Sequence, residues 1–196
     1  MARFFLHAFL GIAMIGCQGS GGATAVAPAV VPEGWKKESV GNAKMSLALP
    51  PFFSEDAVPA ESAMGELSKL FRDEQVLSRT YIGPDARGKE CMVMVTAFSH
   101  RDNGTNPEGA ANEYVEMAGM FSFGGEVKSS KRKVDLPVGP AWRAVVTMGA
   151  GAEATSTILY AGKAKGQYYQ VMFMESGAGD VILIPDEEIM ASLRFE

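Results

Sequence analysis

Glu90-Cys91-Met92-Val93-Met94-Val95-Thr96-Ala97-Phe98 is the stretch whose reading decides the fold. Read at the strand period of two, Cys91, Val93 and Val95 take one face, and Met92 and Met94 the other. Both faces are therefore apolar. Such a strand belongs in the middle of a sheet covered on both sides. Residues 167–174 repeat the pattern, with Tyr169, Val171 and Phe173 alternating against Met172 and Met174.

Outward from this pair, three more strands read clearly. Residues 44–49 alternate Met and Leu with small or polar residues and stop at Pro50-Pro51, which cannot continue a ladder. Residues 142–148 and 155–161 are the others. In the first of these, Trp142 shares a face with Ala144, Val146 and Met148, which predicts a Trp buried beneath a helix.

Three helices are expected. Residues 62–71 bring Met64, Leu67, Leu70 and Phe71 to one face. A second begins with Asn106 as cap, Pro107 at the first helical position and Glu108 in the first turn. Ala110, Tyr114, Met117 and Phe121 then share a face, and Gly124-Gly125 ends the run. A short third helix starts near Pro185-Asp186-Glu187-Glu188 and carries Ile189, Met190 and Leu193. The expected class is α+β, a mainly antiparallel sheet with helices on both faces (an α/β/α sandwich). A bare β-sandwich or barrel is the alternative.

The N-terminal region reads as an address. Arg3 gives a positive start, residues 4–15 are apolar apart from His7, and Gly16-Cys17 follows. That apolar run is shorter than the roughly 20 residues a membrane span requires. The layout is a secretory signal peptide over residues 1–16. Met14-Ile15-Gly16-Cys17 resembles the bacterial lipobox, which implies a diacylglyceryl group on the Cys17 thiol. Two or three acyl chains make a stable anchor at about 0.8 kcal/mol per buried CH₂. Gln18 is not the Asp that retains enteric lipoproteins at the inner membrane. The expected location is the cell envelope, on the outer side of the cytoplasmic membrane or on the outer membrane. Residues 17–32 form the lipidated Cys and an uncharged tether of small residues and Pro, too poor in large apolar side chains to offset its ordering entropy. The globular domain is expected over residues 33–196.

Charge and cysteine content narrow the function classes. The chain carries −5 at pH 7, and losing Arg3 with the signal takes this to −6. An acidic balance argues against a nucleic-acid partner, whose affinity comes mainly from phosphate neutralisation. With Cys17 committed to lipid, Cys91 is left without an intramolecular partner.

Several motifs together resemble PsbP-like domains. These are Pro32-Glu33-Gly34-Trp35, Met45-Ser46-Leu47-Ala48-Leu49-Pro50, the helix with Glu113-Tyr114, the turn Leu136-Pro137-Val138-Gly139-Pro140-Ala141, and the ending Ser192-Leu193-Arg194-Phe195. The order of these motifs along residues 33–196 carries the resemblance. It implies an α/β/α sandwich, as in the photosystem II extrinsic protein and LpqN-type lipoproteins. It also implies a partner-binding role without catalysis. Residues 52–88 show no pattern of that family.

The chemical inventory points the same way. His100, beside Asp102, is the one histidine left after the signal, and a solvated turn is the simpler account than a catalytic triad. Cys91 and His100 lack a matching zinc ligand set. Gly149-Ala150-Gly151 lacks phosphate-loop spacing and reads as a hairpin connection. Met92-Val93-Met94 and Met172-Phe173-Met174 would suit soft Cu(I), but their apolar strands assign them to core filling. No metal or cofactor is expected.

Lys128-Ser129-Ser130-Lys131-Arg132-Lys133 is the one basic cluster. Lys128, Lys131, Arg132 and Lys133 could meet an anionic surface at about 1 kcal/mol per charge. Alternatively they mark a Lys-rich edge strand that resists aggregation. The function expected is a lipid-anchored, non-catalytic binding or assembly module with an envelope protein partner. The alternative is a carrier or hydrolase whose cleft uses Glu66, Asp73 or Glu113.

Overall fold

A computed structural model describes residues 30–40, 44–56, 76–98, 106–121, 125–151, 154–177 and 182–196. Cys17 and its tether through residue 29, the expected helix at 62–71, Glu66, Asp73, His100 and Asp102 lie outside the described residues.

The elements run β1 (Lys36–Val40), β2 (Met45–Leu49), β3 (Ser54–Asp56), β4 (Val76–Pro84), β5 (Glu90–Phe98), α1 (Pro107–Phe121), β6 (Val127–Leu136), β7 (Gly139–Met148), β8 (Thr155–Ala164), β9 (Gln167–Ser176), α2 (Asp186–Ala191) and β10 (Arg194–Phe195). Seven strands make one sheet in the order β3-β4-β5-β9-β8-β7-β6, and β1-β2-β10 make a second. Every pairing in both sheets is antiparallel. The fold is therefore α+β, built mainly on antiparallel strands. β5 and β9, apolar on both faces, are neighbours within the large sheet, as their patterns predict.

Alternation along these strands feeds two cores. One face sends Cys91, Val93, Val95 and Ala97 of β5 and Tyr169, Val171 and Phe173 of β9 against Met45, Leu47 and Leu49 of β2 and Ile189, Met190 and Leu193 in and after α2. The other sends Met94, Ala144, Val146, Leu159 and Met172 against Ala111, Tyr114 and Ala118 of α1. Among the described residues this is not a clean sandwich with helices on both faces. α1 covers part of one face, while the small sheet and the six-residue α2 cover the other. All five residues of β2 are buried, so the small sheet is a large part of the cover on that face.

The helix starts where the sequence places it. Glu108 N–H donates to Asn106 Oδ1 at 3.0 Å, and Ala110 N–H to the Asn106 carbonyl at 3.0 Å. Pro137-Val138 makes the two-residue link between β6 and β7, and residues 149–154 connect β7 to β8. Lys165-Gly166 joins β8 to β9 with φ of +49° and +79°, the positive pair that a type I′ hairpin turn requires. Within β8, Gly162 lies opposite Tyr169. A Cβ at Gly162 would fall 2.4 Å from the Tyr169 hydroxyl, so the phenol ring occupies the space a side chain would need.

Candidate functional site at the basic edge strand

β6 is an outer strand of the large sheet, bonded to β7 on one side. The basic run is therefore an edge strand, as one of its two readings had it. Strand alternation splits its cations between the faces. Lys131 and Lys133 lie opposite Ala144 and Trp142, on the α1 side. Arg132 lies opposite Arg143, on the α2 side.

Three of the four cations are engaged. Lys131 Nζ stands 3.5 Å from Glu108 Oε1, donates to Asn112 Oδ1, and lies 4.7 Å from the centre of the Trp142 ring. Arg132 pairs with Glu187 at the start of α2, and Lys128 lies 3.6 Å from Glu126. Lys133 is exposed. Pairs this exposed contribute at most about 1 kcal/mol each, so an anionic partner can compete for Lys128 and Arg132 at small cost. Trp142 differs from its expectation. It is half-buried at the rim of the α1 core, because β7 is next to the edge and Lys131 folds over the outer side of the ring.

Beneath the edge, Arg143 joins the large sheet to α2. Its Nε donates to Asp186 Oδ2 at 2.9 Å, and the Tyr160 hydroxyl donates to the same oxygen at 2.6 Å. Burial raises the Tyr160 pKa, and the Asp186 charge raises it further. Burial alone would lower the Arg143 pKa, but the hydrogen bond and charge of Asp186 outweigh it and hold the guanidinium charged. Neither group is poised to exchange a proton near neutrality.

A second buried acid, Glu175, lies near the end of β9. Glu175 Oε1 accepts from Arg87 Nη2 at 3.0 Å, and its Oε2 accepts from the Leu183 and Ile184 amides at 2.9 and 3.2 Å. Arg87 also donates to Asp85 and to the Gly177 carbonyl. Burial would raise the Asp85 pKa, yet hydrogen bonds from the Arg87 side chain and the Lys89 and Arg87 amides bring it below its usual value. Sequence patterns gave no sign of these two clusters, whose members come from separate strands, the β4–β5 turn and α2, brought together by tertiary packing. Together they clamp residues 183–186 onto the sheet.

Cys91 is buried, and its thiol donates to the Gly83 carbonyl at 3.1 Å. Burial above all, and then the Glu175, Asp85 and Glu90 charges, push its pKa up to about 12. That is the opposite of an activated nucleophile. Glu113, the one described residue of the three carboxylates named for a cleft, is half-buried on α1, where its charge adds to the burial that raises the Tyr168 pKa.

No family model matches the chain, and no curated protein matches it. Among solved structures it is similar to a protein from Bacteroides thetaiotaomicron VPI-5482, at 12% identity and a TM-score of 0.39. The match covers 82% of this chain and 48% of that one, so this chain spans about half the length of that protein.

Proposed function

We propose that this protein is a lipid-anchored, non-catalytic binding or assembly module of the bacterial cell envelope. The observation that carries the reading is Cys17, set directly after a short apolar run and followed by an uncharged tether. Acylation at Cys17 would hold the domain near a membrane surface, with roughly 20 Å of reach through the 15 residues that follow.

The side-chain chemistry of the domain supports a binding role. Its buried acids Glu175 and Asp186 are spent on clamping one segment to the sheet, and the buried thiol is held protonated. The exposed β6 edge carries Lys128, Arg132 and Lys133, and these are the contacts proposed for an anionic envelope surface. The finer architecture proposed is that of PsbP-like domains, with the partner-binding role their resemblance implies.

The test is metabolic labelling with a fatty acid, in parallel for wild type and Cys17→Ser. Label on wild type alone supports the anchor, and equal labelling of both refutes it. Crosslinking in native membranes with the acylated chain then identifies the envelope partner. Recovery of the uncrosslinked chain alone would count against an assembly role.

A further inference from the structure

Two pairs of methionines face each other across the central seam of the large sheet. Met92 of β5 is the register partner of Met174 of β9, and Met94 is the partner of Met172. Alternation puts all four on the face that α1 partly covers, where Met94 and Met172 pack with Ala111, Tyr114 and Leu159. Their backbone positions form a square, about 5 Å across the strands and about 7 Å along them.

Burial is graded over that square. Met94 and Met172 are 7% and 6% exposed, whereas Met92 and Met174 are half-buried. One side of the square lies in the core and the other reaches the surface. The register neighbours on this face are Thr80 and Ile82 on β4 and Thr157 and Leu159 on β8, none of them charged. Core filling accounts for the inner pair. It does not account for thioethers at the half-buried positions, where β-branched and aromatic residues suit a strand better.

We propose that Met92, Met94, Met172 and Met174 form a site for a soft monovalent cation, Cu(I) or Ag(I). Thioether sulfur is a soft ligand that selects Cu(I) over harder divalent ions. Three rotatable bonds per side chain let the sulfurs converge from the corners of the square. The half-buried pair gives the ion its entry, and the inner pair holds it away from water. Thioethers carry no titrating proton, so binding here releases none and is insensitive to pH, unlike binding by thiolate, imidazole or carboxylate. The inference stands independently of the lipid anchor.

The probes are Cu(I), added anaerobically in competition with a chromophoric Cu(I) chelator, and Ag(I). The protein is the full chain in detergent carrying Cys17→Ser, so that no thiol at that position competes. With methionine methyls labelled with ¹³C, one equivalent of Ag(I) should shift the signals of the four seam residues and leave those of the other eight of the chain's 12 methionines. The double variant Met92→Leu/Met174→Leu should keep its denaturation midpoint and lose roughly tenfold or more in Cu(I) affinity. Affinity should be the same at pH 6 and pH 8. Failure to compete with the chelator, methyl shifts confined to other methionines, or undiminished affinity in the double variant would overturn the proposal. A steep rise in affinity with pH would do so as well, assigning the metal to Cys91 or a histidine.

Discussion

Lys131 Nζ sits 4.7 Å from the centre of the Trp142 ring, so the one basic cluster of the sequence is tied to the one Trp of the large sheet. The contact is diagonal across β6 and β7, since Lys133 is the direct register partner of Trp142. It makes the edge strand part of the packing around α1.

Trp142→Ala should lower stability by about 2 kcal/mol, less than the 3–5 typical of a fully buried ring, because the ring is only half-buried and the Lys131 ammonium lies over it. Lys131→Ala should cost about 0.5–1 kcal/mol through the lost cation–π contact. In a double-mutant cycle by urea denaturation the two losses should be less than additive. Strict additivity would show that the ring and the ammonium do not interact.

Glu175→Ala should cost about 2 kcal/mol, since it removes the acceptor for the Leu183 and Ile184 amides and one of the two carboxylates that pair with Arg87. Hydrogen exchange offers a site-specific check. The Leu183 and Ile184 amides should lose protection in the variant, while amides in β7 keep theirs.

Stability should fall at both ends of the pH range, for opposite reasons. The Cys91 thiol ionises near 9.0 when unfolded but only near about 12 when folded, so its contribution is complete below pH 9 and is lost as pH rises through that window. Tyr81, whose pKa burial raises from 10.0 to about 12, adds to the loss above pH 10. Asp85 works in the other direction. Its pKa is lowered on folding, so its contribution is present above 3.8 and disappears as pH falls through the folded value. Denaturation midpoints measured against pH should show Cys91→Ala with a flatter alkaline limb and Asp85→Asn with a flatter acid limb. Unchanged limbs would count against these assignments.

Lys165→Asn should raise stability by about 0.5 kcal/mol, because Asn tolerates the left-handed backbone that Lys165 adopts in its type I′ turn. A lowered denaturation midpoint would instead show that the Lys165 side chain contributes more than its strain costs.

The sequence made plain those parts of the fold that depend on local pattern. The two-faced strands β5 and β9, the capped start of α1 at Pro107, and the linker reading of 149–151 all match the structure. β1 escaped notice because Lys36-Lys37-Glu38-Ser39-Val40 is nearly all polar, as suits an outer strand of the small sheet. β4 escaped because Ser78, Arg79 and Gly83 interrupt its apolar period. The Arg87–Glu175 and Arg143–Asp186 pairs were illegible for a different reason. Nothing near any of these four residues in the sequence indicates its partner, and only the tertiary fold, which packs the β4–β5 turn and α2 against the large sheet, brings each pair together. The basic run was visible as composition, but its division between two faces required knowing that it is a strand.

The two residues of β10 lie beside Met45 and Ser46, and the Ala48 amide donates to the Ser192 hydroxyl, 144 positions away in sequence. Synthesis runs from β2 toward β10, so the β1-β2 hairpin cannot find its last strand until residues 192–195 have been made. Until then Met45, Leu47 and Leu49 lack the part of their cover that Ile189, Met190 and Leu193 supply, and so long-range a closure is slow. A chain built this way completes its small sheet only after β10 has been made.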